Sequence, residues 1–382
     1  MKDFGLEVYF SRWEFAARHH LTASDMESMS VNALLSLAND ADREAFEHGW
    51  LGYTETWGAP DLRVAIAGTY DTLSDQDILC FAGAEEGIYA AMRVLLGAGD
   101  HAIVTVPNYQ AAETLPLEIC DVTGIALREF EDWRLDLDDL EAAIRPNTKL
   151  VSINFPNNPT GAVMPQDDVR RLVESCRKHG IWLFSDEVYR GIEADPADTM
   201  PQIADIYERG LSLNVMSKAY GLPGLRIGWI ACQDRQMLSK LERYKHYLSI
   251  CDSAPSERLA VIALKAREQI LADNRALLGE NRKLLDEFFS DYPALFDWQP
   301  PKGGCVAFPK LKATMGVERF CAELVEESGV LLLPSSIYHS DLLRTPADRF
   351  RIGFGRKGVP DALRAFREWL GGRLNALLND FI

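Results

Sequence analysis

Between residues 78 and 215 short apolar runs end in polar turns, and helical patterns follow two of these turns. Ile78–Phe81 leads into Ala82-Gly83-Ala84-Glu85-Glu86-Gly87, after which Ile88, Ala91, Met92, Leu95 and Leu96 recur at helical spacing. Residues 101–107 end in Asn108-Tyr109, and residues 149–155 end in Pro156-Asn157-Asn158-Pro159-Thr160-Gly161. A helix from about 166 to 179 is predicted next, with Val169, Leu172, Val173 and Cys176 inward and Gly180 as its stop. Residues 181–184 end in Ser185-Asp186-Glu187-Val188-Tyr189, and residues 211–215 deliver Lys218 to a loop. Strand and helix in alternation predict an α/β fold: a large domain whose mostly parallel sheet is flanked by helices. Such sheets bind ligands at the C-terminal ends of their strands, where these polar turns fall.

Residues 214–229 read NVMSKAYGLPGLRIGW. Gly221, Pro223 and Gly224 break regular structure and let backbone approach a ligand. A lysine among apolar walls loses proton affinity and becomes a nucleophile toward carbonyls. Arg226 has no acid beside it in sequence, and its fork suits a phosphate. Together Lys218 and Arg226 suit an aldehyde cofactor that carries a phosphate. A solvated lysine in a glycine-rich loop is the plain alternative for this stretch alone.

Ser-Lys-Ala-Tyr-Gly-Leu-Pro-Gly-Leu-Arg-Ile-Gly-Trp resembles the cofactor-lysine signature of class I/II aminotransferases, enzymes of fold type I that use pyridoxal 5'-phosphate (PLP). The resemblance implies a large PLP-binding domain over 43–275 and a smaller α+β domain over 276–382, completed by an N-terminal arm, 1–42. It implies that Lys218 carries PLP as an internal aldimine and then moves a proton. Asp186 is placed under the pyridine nitrogen, where an anion keeps the ring charged. Asn158 and Tyr189 would bond the phenolate oxygen, and Tyr109 would stack on the ring. The Gly83, Ala84 and Glu85 amides, with Ser217 and Arg226, would hold the phosphate. An acid at 85 would repel a phosphate, so the Glu85 side chain is expected to turn away. Tyr53, in YTETWGAPDLR, would reach the neighbour's phosphate across a homodimer with shared active sites. Arg351 in RFRIGF would clamp the substrate carboxylate beside Asn158, and Arg349, on the same strand face, is expected to be solvated. Two positions depart from the family pattern. Val215 stands where a hydroxyl residue is usual, and Ser24-Asp25-Met26-Glu27 stands near the place of a Gly-x-Pro segment.

The charge balance narrows the partners. With 57 acidic against 40 basic side chains the net charge is −17, which argues against nucleic acid and anionic membranes. The seven cysteines include no C-x-x-C pair, which suits reduced thiols in a cytoplasm better than disulfides or a zinc site. The first fifteen residues carry charges throughout and read as no secretory leader, and no apolar run has the length of a membrane span. The expected activity is transfer of an amino group from an α-amino acid to a 2-oxo acid. Elimination, replacement or cyclisation on the same scaffold is the alternative. A PLP-fold regulator would need an added DNA-binding domain, for which the first 50 or so residues leave no room. Extended geometry puts Asp25 and Glu27 on one side, a pair that would favour a cationic or polar substrate side chain unless both cap a helix or face solvent.

Overall fold

The apolar runs lie side by side in a computed structural model that describes residues 1–379. In chain order the strands are β1 (Ile78–Phe81), β2 (His101–Val106), β3 (Asp121–Arg128), β4 (Arg134–Leu135), β5 (Thr148–Asn154), β6 (Trp182–Asp186), β7 (Gly210–Val215) and β8 (Gly228–Ala231). They form one eight-stranded sheet in the order β1-β8-β7-β6-β5-β2-β3-β4. Pairing is parallel from β3 through β7, while β8 runs antiparallel to both β7 and β1. The sheet is therefore mostly parallel, as the alternation predicts. Every residue of β1, β2, β7 and β8 is buried, because helices cover both faces. Each Leu, Ile or Phe so enclosed stabilises the fold by roughly 1.5–3 kcal/mol.

Helix Ala84–Leu95 follows β1, and helix Gln166–His179 buries Val169, Leu172, Val173 and Cys176. Gly180 closes the latter in the left-handed region (φ 65°), where glycine has no Cβ to clash. Two helices follow the sheet, Ala254–Lys265 and Arg267–Ser290, with a break at Ala266. Beyond them, Val306–Ala307, Phe350–Gly353 and Leu333–Pro334 form a small antiparallel sheet backed by helices Val317–Ser328 and Val359–Asn379.

The N-terminal residues run back over the strand ends. Helix Gly5–Trp13 comes first; nothing in the local pattern announced it. His19–His20 then pairs in parallel with Val330–Leu331. Residues 21–27 form a strap. Gly353 N–H donates to Leu21 O (2.8 Å), Glu27 N–H to Gly355 O (2.8 Å) and Met26 N–H to Lys218 O (3.3 Å). A Cβ at Gly353 or Gly355 would collide with the strap carbonyls of Ala23 or Asp25, so glycine is what lets the strap lie this close. Among the described residues no helix is long and apolar enough to cross a membrane, and no cluster of three or more His, Cys, Asp or Glu could hold a metal.

Candidate active site

Strand register gathers the polar groups at one edge of the sheet. Asn154, last in β5, lies opposite Asp186, last in β6, and Asp186 opposite Leu213 of β7. β7 ends at Val215, three residues before Lys218. At the same edge Phe81, last in β1, pairs with Gly228, first in β8. The turns after β1 and before β8 thus bring Gly83 and Arg226 together. A cavity of about 330 Å³ opens here, lined by Lys218, Asp186, Tyr189, Asn158, Tyr109 and Arg226, with Ala84, Glu85, Ser217 and Val215 also on its wall.

Lys218 Nζ donates to Ser24 Oγ (2.9 Å). Burial lowers its pKa; Asp25 opposes this and Arg351 adds to it. The neutral amine is thereby favoured. Burial pushes Asp186 up to about 6, against the Val188 amide (3.2 Å) and the Lys218 charge. A carboxylate that burial disfavours gains from a cationic partner, so a protonated ring nitrogen beside Asp186 would draw it back to the anionic form. Tyr189 Oη donates to Ser24 O (3.1 Å), so the strap touches both lysine and tyrosine. Asn158 Oδ1 accepts from Tyr338 Oη (3.0 Å) and Arg351 Nη1 (3.1 Å), which leaves its Nδ2 donors for the cavity. The Tyr109 ring packs on Phe4 with centroids 5.2 Å apart.

The phosphate end tests the fit to PLP. Gly83 has φ 94°, and a Cβ there would lie 2.5 Å from Arg226 Nη2. A Cβ at Gly228 would lie 2.9 Å from the Ala84 nitrogen. Two glycines therefore keep open a cradle in which a guanidinium meets the N-terminus of a twelve-residue helix. Unbonded N–H groups, the positive end of the helix dipole and Arg226 suit a phosphate. Lysine for an aldehyde, an acid for a ring nitrogen and a cationic cradle for a phosphate together fit PLP.

Several expectations need correction. Glu85 is part of the cavity wall, and its side chain bonds Tyr109. Burial raises it to about 7, which moderates its charge. Arg349 is not solvated. It is buried, gives Nη1 to Phe308 O (2.7 Å), pairs with Glu129 and lies over Trp133 at 5.0 Å. Its place next to the strand Phe350–Gly353 is covered by Trp133, Phe308 and Glu129. Asp25 is held by Arg356 Nη2 (2.9 Å to each oxygen), and Glu27 accepts from the Lys357 amide (2.8 Å), so neither acid is free to read a side chain. Arg351 is fully buried behind the wall, bonded to Tyr338 Oη (2.6 Å), Asn158 and Thr22 O (2.6 Å). Tyr53 lies outside this cavity with its ring exposed. Ser24, Tyr338, Arg356 and the helix Gly5–Trp13 were not singled out as site residues; their places depend on contacts across the whole chain length.

A sequence model of the aminotransferase class I and II family matches residues 20–365. The chain belongs to that family. A PLP-dependent aminotransferase from Streptococcus suis superposes with TM-score 0.90 at 30% identity, over 97% of this chain and 98% of that one. The PLP-dependent cyclase OrfR superposes with TM-score 0.89 at 25% identity, over 98% of each chain. Capreomycidine synthase of Streptomyces vinaceus is 28% identical over 96% of this chain and 93% of its own length. The fold is that of PLP fold type I, and this aminotransferase is a PLP-dependent enzyme.

Proposed function

We propose that the enzyme moves an amino group from an α-amino acid to a 2-oxo acid, with Lys218 as the cofactor lysine and proton carrier. The observation that carries this is one buried lysine sharing a cavity with a buried acid and a glycine-lined cationic cradle. PLP supplies an aldehyde that takes up the amine and a ring that accepts the electrons released at Cα. Lys218 Nζ, whose hold on a proton burial weakens, removes the substrate Cα proton. Asp186 holds the ring nitrogen protonated. Arg226, Ser217 and the amides of Gly83, Ala84 and Glu85 hold the phosphate. Asn158 Nδ2 and Tyr189 Oη face the ring oxygen, and Tyr109 covers the ring and excludes water. Arg351, braced by Tyr338 and Asn158, takes the substrate carboxylate, which requires the strap carbonyl of Thr22 to give up its bond.

The active enzyme is proposed to be a homodimer in which Tyr53 serves the neighbour's site. We take 43–275 as the PLP-binding unit and 276–382 with the arm 1–42 as the smaller one, joined by helix Arg267–Ser290. Seven free cysteines support a reducing cytoplasm. Cyclisation, elimination or replacement is the second reading, favoured by the likeness to OrfR. One amino donor given alone to the holoenzyme decides between them. Transamination yields one 2-oxo acid per site with no free ammonia. Ammonia or a cyclised amino acid on continued turnover would establish the second reading.

A further inference from the structure

The cavity carries more negative charge than the proposed reaction uses. Asp186, Lys218 and Arg226 belong to the cofactor, Asp25 is neutralised by Arg356, and Glu85 is bonded to Tyr109. Two carboxylates are left, Glu7 and Glu14, and neither has a cation partner among the described residues. Glu7 comes from the N-terminal helix and Glu14 from its C-terminal cap, which together put Leu6, Glu7, Phe10 and Glu14 on the cavity wall. That spacing is one helical face. Burial and Arg356 lower the pKa of His20, beside Glu14, which makes it a poorer counter-charge to the acid. The cavity has a second, independent sign of a ligand. Thr22 is one of its lining residues, and its buried Oγ1 has no partner in the protein.

We infer that Glu7 and Glu14 select an α-amino acid with a cationic side chain, a guanidinium or an ammonium on an aliphatic stem. Leu6 and Phe10, between and beside the acids, pack against the stem. The carboxylates take the charged head by charge-assisted hydrogen bonds, and Thr22 Oγ1 accepts one more. A dicarboxylic donor would be repelled by the same wall. The helix supplies these residues from one face, separated by about 10 Å along its axis, so the wall suits a long side chain rather than a short one.

The inference rests on the proposed transamination, and the test keeps the two apart. The holoenzyme and the variants Glu7→Gln, Glu14→Gln and the double substitution are assayed with arginine and lysine against citrulline and norleucine. The cationic donors should lead in the native enzyme. The double variant should lose at least about tenfold in the ratio of kcat/KM for cationic over neutral donors, the scale of one lost charge-assisted bond. A general packing defect would lower both kinds of donor and leave the ratio in place. In parallel, 5-guanidinopentanoate, which has no α-amino group to react, should bind the native holoenzyme and lose about tenfold in affinity in the double variant. An unchanged ratio, or a native enzyme indifferent to side-chain charge, overturns the acidic wall while leaving transamination intact. If no donor releases a 2-oxo acid, the transamination reading fails. The guanidino acid then decides the wall alone, and equal binding to native and double variant overturns it.

Discussion

Burial sets the behaviour of the reacting groups one by one. It lowers Lys218 and raises Asp186 to about 6. In the proposed reaction the two have different tasks: Lys218 takes a proton as a neutral amine, which burial favours, and Asp186 pairs as an anion with the ring cation, which has to offset its burial. Tyr109 offers a ring face, which phenylalanine also has. Asp186→Ala should cost at least about a hundredfold in kcat/KM, and Tyr109→Phe less than about tenfold. Equal losses would contradict this division of roles. These positions stand out in the sequence because each ends a strand or follows one within a few residues. Ser24 does not, although it holds Lys218 at 2.9 Å, because its partner lies 194 residues away. The pair of Asp25 with Arg356, 331 residues apart, was hidden for the same reason. A local pattern tells which way a side chain points and not what covers it, which is why Arg349 was misjudged.

The elements around the site act as spacers. Gly83 caps helix Ala84–Leu95 with φ 94° and ψ 171°, a region that side chains other than glycine's scarcely enter, at a cost on the order of 1–3 kcal/mol. Gly83→Ala should also press on Arg226 and weaken PLP binding at least about tenfold, read by titrating cofactor-free protein. Unchanged affinity would separate this cradle from the phosphate. Behind it, Lys245 and Asp252 are both fully buried and paired at 3.0 Å. Lys245 Nζ also bonds Thr56 O and Cys80 O, each at 2.8 Å, so it ties the end of β1 to the segment that bears Tyr53. Asp252→Ala would strand a buried charge and should destabilise by about 3–5 kcal/mol in urea unfolding. A loss under about 1 kcal/mol would mean that water already reaches the pair.

At the scale of the molecule, the sheet and its ligand edge were readable from strand–turn alternation, and the cover formed by the arm was not. The helix Gly5–Trp13 buries only Leu6 and finds its place through tertiary contacts. Trp50 (82% exposed), Tyr53 (88%) and Tyr247 (91%) leave large rings uncovered, consistent with a surface meant for a second copy. Tyr53→Ala and Lys218→Ala, each impaired alone, should regain about a quarter of native sites when subunits are mixed and exchanged, since half the dimers then pair the two variants and hold one intact site. No recovery after verified exchange would place each site within one subunit. Lys218 is the residue on which the proposed chemistry depends. Reducing the holoenzyme with borohydride and mapping the labelled peptide should find a single pyridoxyl group on Lys218, and none in Lys218→Ala with its fold retained. A label on any other lysine, or an unlabelled Lys218 in active native enzyme, would contradict that chemistry.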